Sequence, residues 1–178
     1  MSLQTDRIFI AAIQRDSTLA AKLGAKAATA TTEAVKPRLF TTAIPRAYYP
    51  NVDAFVEPVD NCPLPYVIVT FDGLQNDGFT KDDDYEGSTD KVQVSIEIAA
   101  ESRDDLATLA EEVRQTVKTF MVNYTPPATA PNGSATEQEE DLTPIIPVDW
   151  DFTASAVQYD MSKPCYWQAL IYACDTNV

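Results

Sequence analysis

The feature that most constrains the fold is an alternating strand that runs directly into a long amphipathic helix. Within residues 91–100 four β-branched side chains alternate with polar ones, which predicts a strand with one buried face and one wet face. Residues 102–122 then carry apolar side chains at helical spacing. Ser102 suits the N-cap of this helix, and Asp105 suits the positive end of its dipole. A sheet with a helix packed on it follows from this pair of elements.

The other segments complete the predicted order of elements. An N-terminal helix starts at Thr5 or Asp6 and breaks at residues 16–17, where Ser17 is predicted to cap a short second piece that ends at Gly24. Four further segments have the composition of strands, namely residues 39–44, 66–71, 150–159 and 165–174. The order predicts an α+β fold, with a mostly antiparallel sheet of about four to five strands packed against two main helices.

Length predicts a single domain that spans residues 1–178. Two segments interrupt the regular elements. Residues 72–90 are interpreted as a long acidic hairpin connection, and residues 125–147 as a flexible, Pro-rich, acidic excursion. Both are expected to be loop insertions in the one domain.

The charge of the chain is concentrated in nearly the same two regions. The chain has 13 Lys and Arg against 27 Asp and Glu, a net charge of −14. Residues 72–90 hold seven acids and one base, and residues 137–151 hold six acids and no base. We therefore predict that the acidity belongs to loops and that the folded body is nearly neutral, so that copies of it can associate without strong repulsion.

Several enzyme classes are excluded by what the sequence lacks. There is no histidine, which removes Ser-His-Asp and Cys-His nucleophiles and histidine-ligated zinc. No Gly-rich phosphate loop or nucleophile elbow occurs. Asp82, Asp83 and Asp84 are adjacent in a polar stretch without an apolar wall to raise a carboxyl pKa. We predict that the protein is not an enzyme and that it has no catalytic residue and no cofactor. An enzyme that uses carboxylates alone ranks last among the alternative functions.

The acidic run partly matches a calcium-binding loop. With Asp82 at loop position 1, Asp84, Glu86 and Asp90 fall at positions 3, 5 and 9. Gln93 stands at position 12, where a bidentate Glu is required, and a strand follows where a helix should. A solvated hairpin tip without metal is therefore expected. A calcium-dependent binding module is kept as the alternative from another functional class.

The cysteines and the hydropathy bear on the compartment. Cys62, Cys165 and Cys174 are an odd number without metal-site spacing, which is typical of free thiols in a reducing cytoplasm. No stretch of 18 apolar residues and no signal-peptide pattern occurs. No membrane association is expected.

Two adjacent aromatic residues are the candidate contact between subunits. Tyr48 and Tyr49 precede Pro50 in a segment predicted to be a loop, where core packing is harder to arrange than in a strand. Ordinary packing within the chain is the alternative for this pair.

Four short strings, in this order, carry a resemblance to a known family. They are residues 17–24 (STLAAKLG), 64–69 (LPYVIV), 92–98 (VQVSIEI) and 104–113 (DDLATLAEEV). With the order of elements, they resemble the tail-completion or tail-terminator proteins of long-tailed bacteriophages. The resemblance covers roughly residues 3–24 and 38–122 and the closing strands. Residues 25–36, 72–90 and 125–147 depart from the family pattern as insertions.

The resemblance implies a virion structural protein that joins head and tail. Such proteins form a homo-oligomeric ring, commonly a hexamer, on the end of the tail tube, where they stop tube polymerisation and meet the head connector. The implied partners are the tail-tube protein and a head-connector or neck protein, and DNA passes through the ring without specific binding. The implied location is the tail or neck of the virion, and the host cytoplasm during assembly. Another neck or head–tail connector component is the nearest alternative.

Overall fold

A mixed sheet of six strands organises the computed structural model, which describes residues 4–24, 38–49, 59–76, 89–126 and 142–177. The strands are β1 (Leu39–Thr41), β2 (Tyr66–Asn76), β3 (Thr89–Ala100), β4 (Asp149–Ala154), β5 (Gln158–Asp160) and β6 (Cys165–Asn177). The helices are α1 (Asp6–Arg15), α2 (Ser17–Leu23) and α3 (Arg103–Asn123). Short 3-10 turns span Arg46–Tyr48 and Thr143–Ile145.

The sheet confirms the α+β class and differs from the prediction in its details. The strand order is β1-β2-β3-β6-β4, and β5 pairs with the first residues of β6. Only β1 and β2 are parallel, and every other pairing is antiparallel. The described residues hold six strands instead of four to five, since the strand predicted over residues 150–159 is divided into β4 and β5 after Ala154.

The lengths of four strands also differ from the prediction, and one of them, β6, extends to Asn177. The predicted strand 39–44 ends at Thr41, because Thr42 takes the left-handed conformation with φ 71°. Strand β2 continues to Asn76 across a bulge at Gly73, whose φ of 154° favours glycine. Both ends of the predicted acidic connection 72–90 therefore belong to β2 and β3, while residues 77–88 lie outside the described part.

The predicted alternation in β3 is confirmed, and it builds the core. Its four Val and Ile residues are buried against the helices, as is the predicted apolar stripe of α3 apart from Phe120, which is partly buried. Helix α1 adds Phe9, whose ring lies 4.9 Å from the ring of Tyr172 on β6. The buried residues of β3 and α3 are Val92, Val94, Ile96 and Ile98, with Leu106, Leu109, Ala110, Val113, Val117 and Met121.

The helix caps agree with the prediction at two places and correct it at a third. The Ser102 hydroxyl accepts from the Asp105 N–H at 3.1 Å, and Gly24 ends α2 in the left-handed conformation. The cap of α2 is Asp16 instead of Ser17. Asp16 has extended dihedral angles, so its carboxylate accepts from the N–H groups of Thr18 and Leu19, both at 3.0 Å.

The face of the sheet opposite the helices is partly covered by the segments around β1 and before β2. Phe40, Tyr48, Cys62 and Ile68 form a second, small buried cluster there. Lys163, in the turn before β6, forms an ion pair with Asp60, and both side chains are nearly buried at 13% and 12% exposure. The Lys163 ammonium also lies 4.5 Å from the centre of the Tyr66 ring. This contact ties two distant segments together over one end of the face.

Charge divides between the two layers of the fold, which corrects the prediction of a nearly neutral body. Helices α1–α3 carry five acids and six bases. The six strands carry seven acids and one base, Lys91. The strand acids are Asp72, Asp90, Glu97, Asp149, Asp151, Asp160 and Asp175. Four of these seven belong to the acidic segments 72–90 and 137–151, so part of the charge that was assigned to loops lies on the sheet.

Candidate subunit interface

The most exposed regular element is β4, at one end of the sheet. No other described strand pairs with its outer side. The Ser155 N–H donates to the Ala169 carbonyl of β6 at 2.8 Å, and hydrogen-bonding pairs alternate along an antiparallel ladder. Trp150, Phe152 and Ala154 therefore direct their N–H and C=O groups away from β6. Such an edge is a template for pairing with another chain.

Apolar side chains accumulate along this edge. Residues 148–161, here called the β4 edge, hold five of the eight exposed large apolar side chains among the described residues. They are Val148, Phe152, Val157, Tyr159 and Met161. A soluble monomer normally scatters such side chains singly, so their concentration marks this edge as an interaction surface.

Phe152 is the most firmly held of these side chains. Its ring lies 5.3 Å from the ring of Tyr172, which is buried in the core. The Arg114 guanidinium of α3 lies 5.6 Å from the centre of the same ring, and two contacts with Glu111 hold that guanidinium in turn. Phe152 nevertheless has 37% of its surface exposed. It is an aromatic side chain packed against two neighbours, with area left for a partner.

The β4 edge is also acidic. It holds Asp149, Asp151 and Asp160, and it has no Lys or Arg. Hydrogen bonds from the Ser162 hydroxyl and N–H lower the pKa of Asp160, so this carboxylate is charged at neutral pH. The edge therefore combines apolar area with negative charge.

The opposite end of the sheet has a second edge of different character. Strand β1 and the residues after it, 38–49, are here called the β1 edge. The Arg38 carbonyl accepts from Val67 at 2.8 Å and the Thr42 N–H donates to Val69 at 2.9 Å, so both face β2. By alternation, Leu39 and Thr41 direct backbone groups outward.

The β1 edge is basic. It contains Arg38 and Arg46 and no acidic residue. The Arg38 guanidinium donates to the carbonyls of Leu64, at 3.1 Å, and Lys22. Arg46 is exposed. The two ends of one sheet thus carry charges of opposite sign.

The predicted contact residues Tyr48 and Tyr49 differ in their surroundings. Tyr48 is 6% exposed, and its ring packs edge-on against Phe40 with 5.5 Å between the ring centres. It belongs to the small cluster inside the chain and has almost no surface for a partner. Tyr49 is half-buried beside it. Burial raises the pKa of both hydroxyl groups, so both are neutral at physiological pH.

The candidate calcium ligands are mostly outside the described residues. Asp82, Asp84 and Glu86 fall in the segment 77–88, whereas Asp90 lies within β3 with 7% exposure. The Asp90 carbonyl accepts from the Thr176 hydroxyl of β6 at 3.3 Å. In the part of the chain that the structure describes, no cluster of three or more Cys, Asp or Glu side chains is placed to hold a metal ion.

The three cysteines are free and buried, as expected for unpaired thiols. Burial is the main reason why the pKa of each thiol is raised, and that of Cys174 reaches about 12. These thiols are protonated at neutral pH and are poor nucleophiles.

Two comparisons with known proteins found no match. No protein-family model matches the chain, and no curated protein matches it. Among the described helices, none has the length and apolar character needed to cross a membrane.

Proposed function

We propose that the protein is a structural component of a long-tailed bacteriophage virion, a tail terminator that forms a ring on the end of the tail tube. The ring stops tube polymerisation and joins the tube to the head connector. The observation that carries this proposal is the open, apolar edge at β4. A chain with such an edge is suited to assembly with copies of itself.

A ring needs two different complementary patches on each subunit. Head-to-tail contacts of this kind form closed rings when the rotation between neighbours closes. The β4 edge and the β1 edge lie at opposite ends of one sheet and differ in charge and in apolar area. That pair of unlike surfaces supports a ring in preference to a simple two-fold dimer.

The charge of the sheet supports the passage of DNA through such a ring. The face without helices carries carboxylates, among them Glu97 and Asp175, with Lys91 as its one basic strand residue in the described part. An acidic lumen repels phosphates and so does not retain DNA. In the proposed ring, this face is directed towards the lumen.

The experiment that tests the proposed function is tube capping. Tail tubes assembled from the tail-tube protein of the same genome are mixed with the purified protein and imaged by negative-stain electron microscopy. A ring at one end of each tube and an arrest of tube growth are expected. A protein that stays monomeric at high concentration while tubes keep growing would contradict the proposal.

The alternative neck role is separated in the same experiment. A connector component would also form rings, but it would bind the head connector and leave the growth of bare tubes unchanged. Buffer containing calcium, compared with buffer containing a chelator, tests the calcium module: capping that is equal in both excludes a calcium requirement.

A further inference from the structure

We propose that neighbouring subunits join by antiparallel strand addition, with the β4 edge of one copy against the β1 edge of the next. This inference rests on the proposed ring and names the surfaces that close it. The occupant of each edge is a second copy of this chain. A sheet extended in this way would run from subunit to subunit around the ring.

The strand directions give the sense of pairing. Strand β1 runs parallel to β2, and β6 does so too because both β2 and β6 are antiparallel to β3. Strand β4 is antiparallel to β6, so it is also antiparallel to β1. Copies placed side by side in one orientation therefore bring β4 and β1 together as an antiparallel pair.

The spacing of outward backbone groups fits this pairing. On β4, Trp150, Phe152 and Ala154 direct their groups outward, two residues apart. On β1, Leu39 directs both groups outward. Thr41, two residues on, directs its N–H outward, while its carbonyl accepts from the Ala43 N–H at 2.8 Å. An antiparallel ladder repeats its closely spaced hydrogen-bonded pairs at this interval. Two of the three outward positions on β4 thus lie opposite outward N–H groups of β1, and Leu39 also offers its carbonyl.

Charge favours this arrangement over a two-fold one. The β4 edge holds three acids without a base, and the β1 edge holds two arginines without an acid. A β4-to-β4 dimer would bring Asp149 and Asp151 of both copies together, and such like-charge contacts oppose association. The head-to-tail contact instead brings opposite charges together.

The side chains at the β1 edge also suit a partner with protruding apolar groups. Thr42, Ala43, Pro45 and Ala47 are all exposed, and all are small or compact. They leave room for the larger side chains of the β4 edge, with Phe152 as the aromatic contact. Covering Phe152 removes apolar area from water and stabilises the contact.

Proline substitutions test the two edges separately. Ala154→Pro removes an outward N–H of β4, and Thr41→Pro removes one of β1. Neither change removes an N–H that pairs within the subunit, and edge strands tolerate proline. Val122→Asp, at an exposed position near the end of α3, is the matched control. Light scattering gives the mass of each purified protein, and circular dichroism checks that each is folded.

The expected result distinguishes head-to-tail contact from other arrangements. Wild type and Val122→Asp form rings, and each proline variant alone is monomeric. An equimolar mixture of the two proline variants gives a one-to-one dimer, because one intact β1 edge meets one intact β4 edge. If Thr41→Pro forms a dimer on its own, contact across a two-fold axis at β4 replaces the proposal.

Failure of this inference can be told apart from failure of the proposed function. If wild type caps tubes and both proline variants still form rings, the subunits do not join through the β4 and β1 edges and the terminator role stands. If wild type neither assembles nor caps tubes, both are wrong. Should a proline variant fail to fold, the double change Asp149→Lys with Asp151→Lys replaces Ala154→Pro, and Arg46→Glu replaces Thr41→Pro. If either replacement leaves the ring mass and its salt sensitivity unchanged, opposite charges do not hold the β4 edge against the β1 edge.

Discussion

The two faces of the sheet come from alternate residues of the same strands. One is apolar and covered by the helices, while the other, here called the open face, is acidic and only partly covered. On β3, Ile96 is completely buried under the helices, whereas its neighbour Glu97 points to the other side. Helices α1–α3 nearly balance their charges, and the strands carry a strong acidic excess. The helix-covered face thus determines the stability of the fold. The other face and the two edges can change without loss of the core.

The largest expected effect is a break in the helix-covered face. Ile96→Ala removes a fully buried side chain from the middle of the core and should lower the free energy of unfolding by about 2–5 kcal/mol. Gln93→Ala is the matched control on the exposed face of the same strand and should change it by less than about 0.5 kcal/mol. Urea denaturation measures both. Equal losses would contradict the division between the faces.

A smaller effect is expected at the Asp60–Lys163 ion pair, which lies over the open face. Asp60→Asn leaves the nearly buried Lys163 without its counter-ion and should cost about 1.5–3 kcal/mol. Glu112→Gln breaks the exposed pair with Lys22 and should cost less than about 1 kcal/mol. Thermal and urea unfolding of the two variants give the comparison. A loss of stability at Asp60 no larger than at Glu112 would show that the Asp60–Lys163 ion pair stabilises the fold no more than an exposed pair does.

Within the helix layer, removing the cap of α2 should lower the free energy of unfolding by about 1 kcal/mol. Asp16→Ala removes two hydrogen bonds to the first turn of α2 and a third, at 3.1 Å, from the Thr116 hydroxyl of α3. Ser17→Ala makes no such change and should be nearly neutral. Denaturation midpoints of the pair decide between the two caps. A larger loss for Ser17→Ala would restore the cap predicted from sequence.

The smallest expected effect is on the pH dependence of stability, and it involves Glu97 on the open face. Partial burial raises the pKa of Glu97, and the nearby Asp72 carboxylate adds to the rise. The folded state therefore holds this proton more tightly than the unfolded state does. Protonated Glu97 therefore stabilises the fold at low pH. This contribution to the free energy of unfolding is lost as pH rises from the ordinary glutamate pKa, about 4.3, through the raised value.

Glu97→Gln should remove this part of the pH dependence. The difference in unfolding free energy between the variant and wild type should shift in favour of the variant as pH rises through that interval. Denaturant titrations at a series of pH values measure the difference. A constant difference across the series would show that Glu97 has no role in the pH dependence.

Sequence patterns predicted the parts of the fold that depend on local order. The alternation in β3 and the stripe of α3 are properties of consecutive residues, and each reports directly which side is buried. The cap at Ser102 was found for the same reason. The cap of α2 was displaced by one residue, because Asp16 and Ser17 both suit that position and only the backbone angles choose between them.

The candidate interface was missed because it depends on long-range pairing. A strand was predicted over residues 150–159, but nothing local indicates that β4, with Trp150, Phe152 and Ala154 on one side, is the last strand of the sheet. Asp149 and Asp151, which alternate with them, were the available signal, since charged residues are typical of edge strands. The acids at 72 and 90 were likewise assigned to a loop because β2 and β3 extend further than their apolar runs.

The most direct test of the account is the native mass spectrum of the wild-type protein across a range of concentrations. Head-to-tail contact through two unlike edges predicts one closed species with a single number of subunits. Its abundance should fall as salt rises, because opposite charges meet at each contact. A monomer at every concentration, a dimer that grows no further or an open series of lengths would contradict the proposed ring.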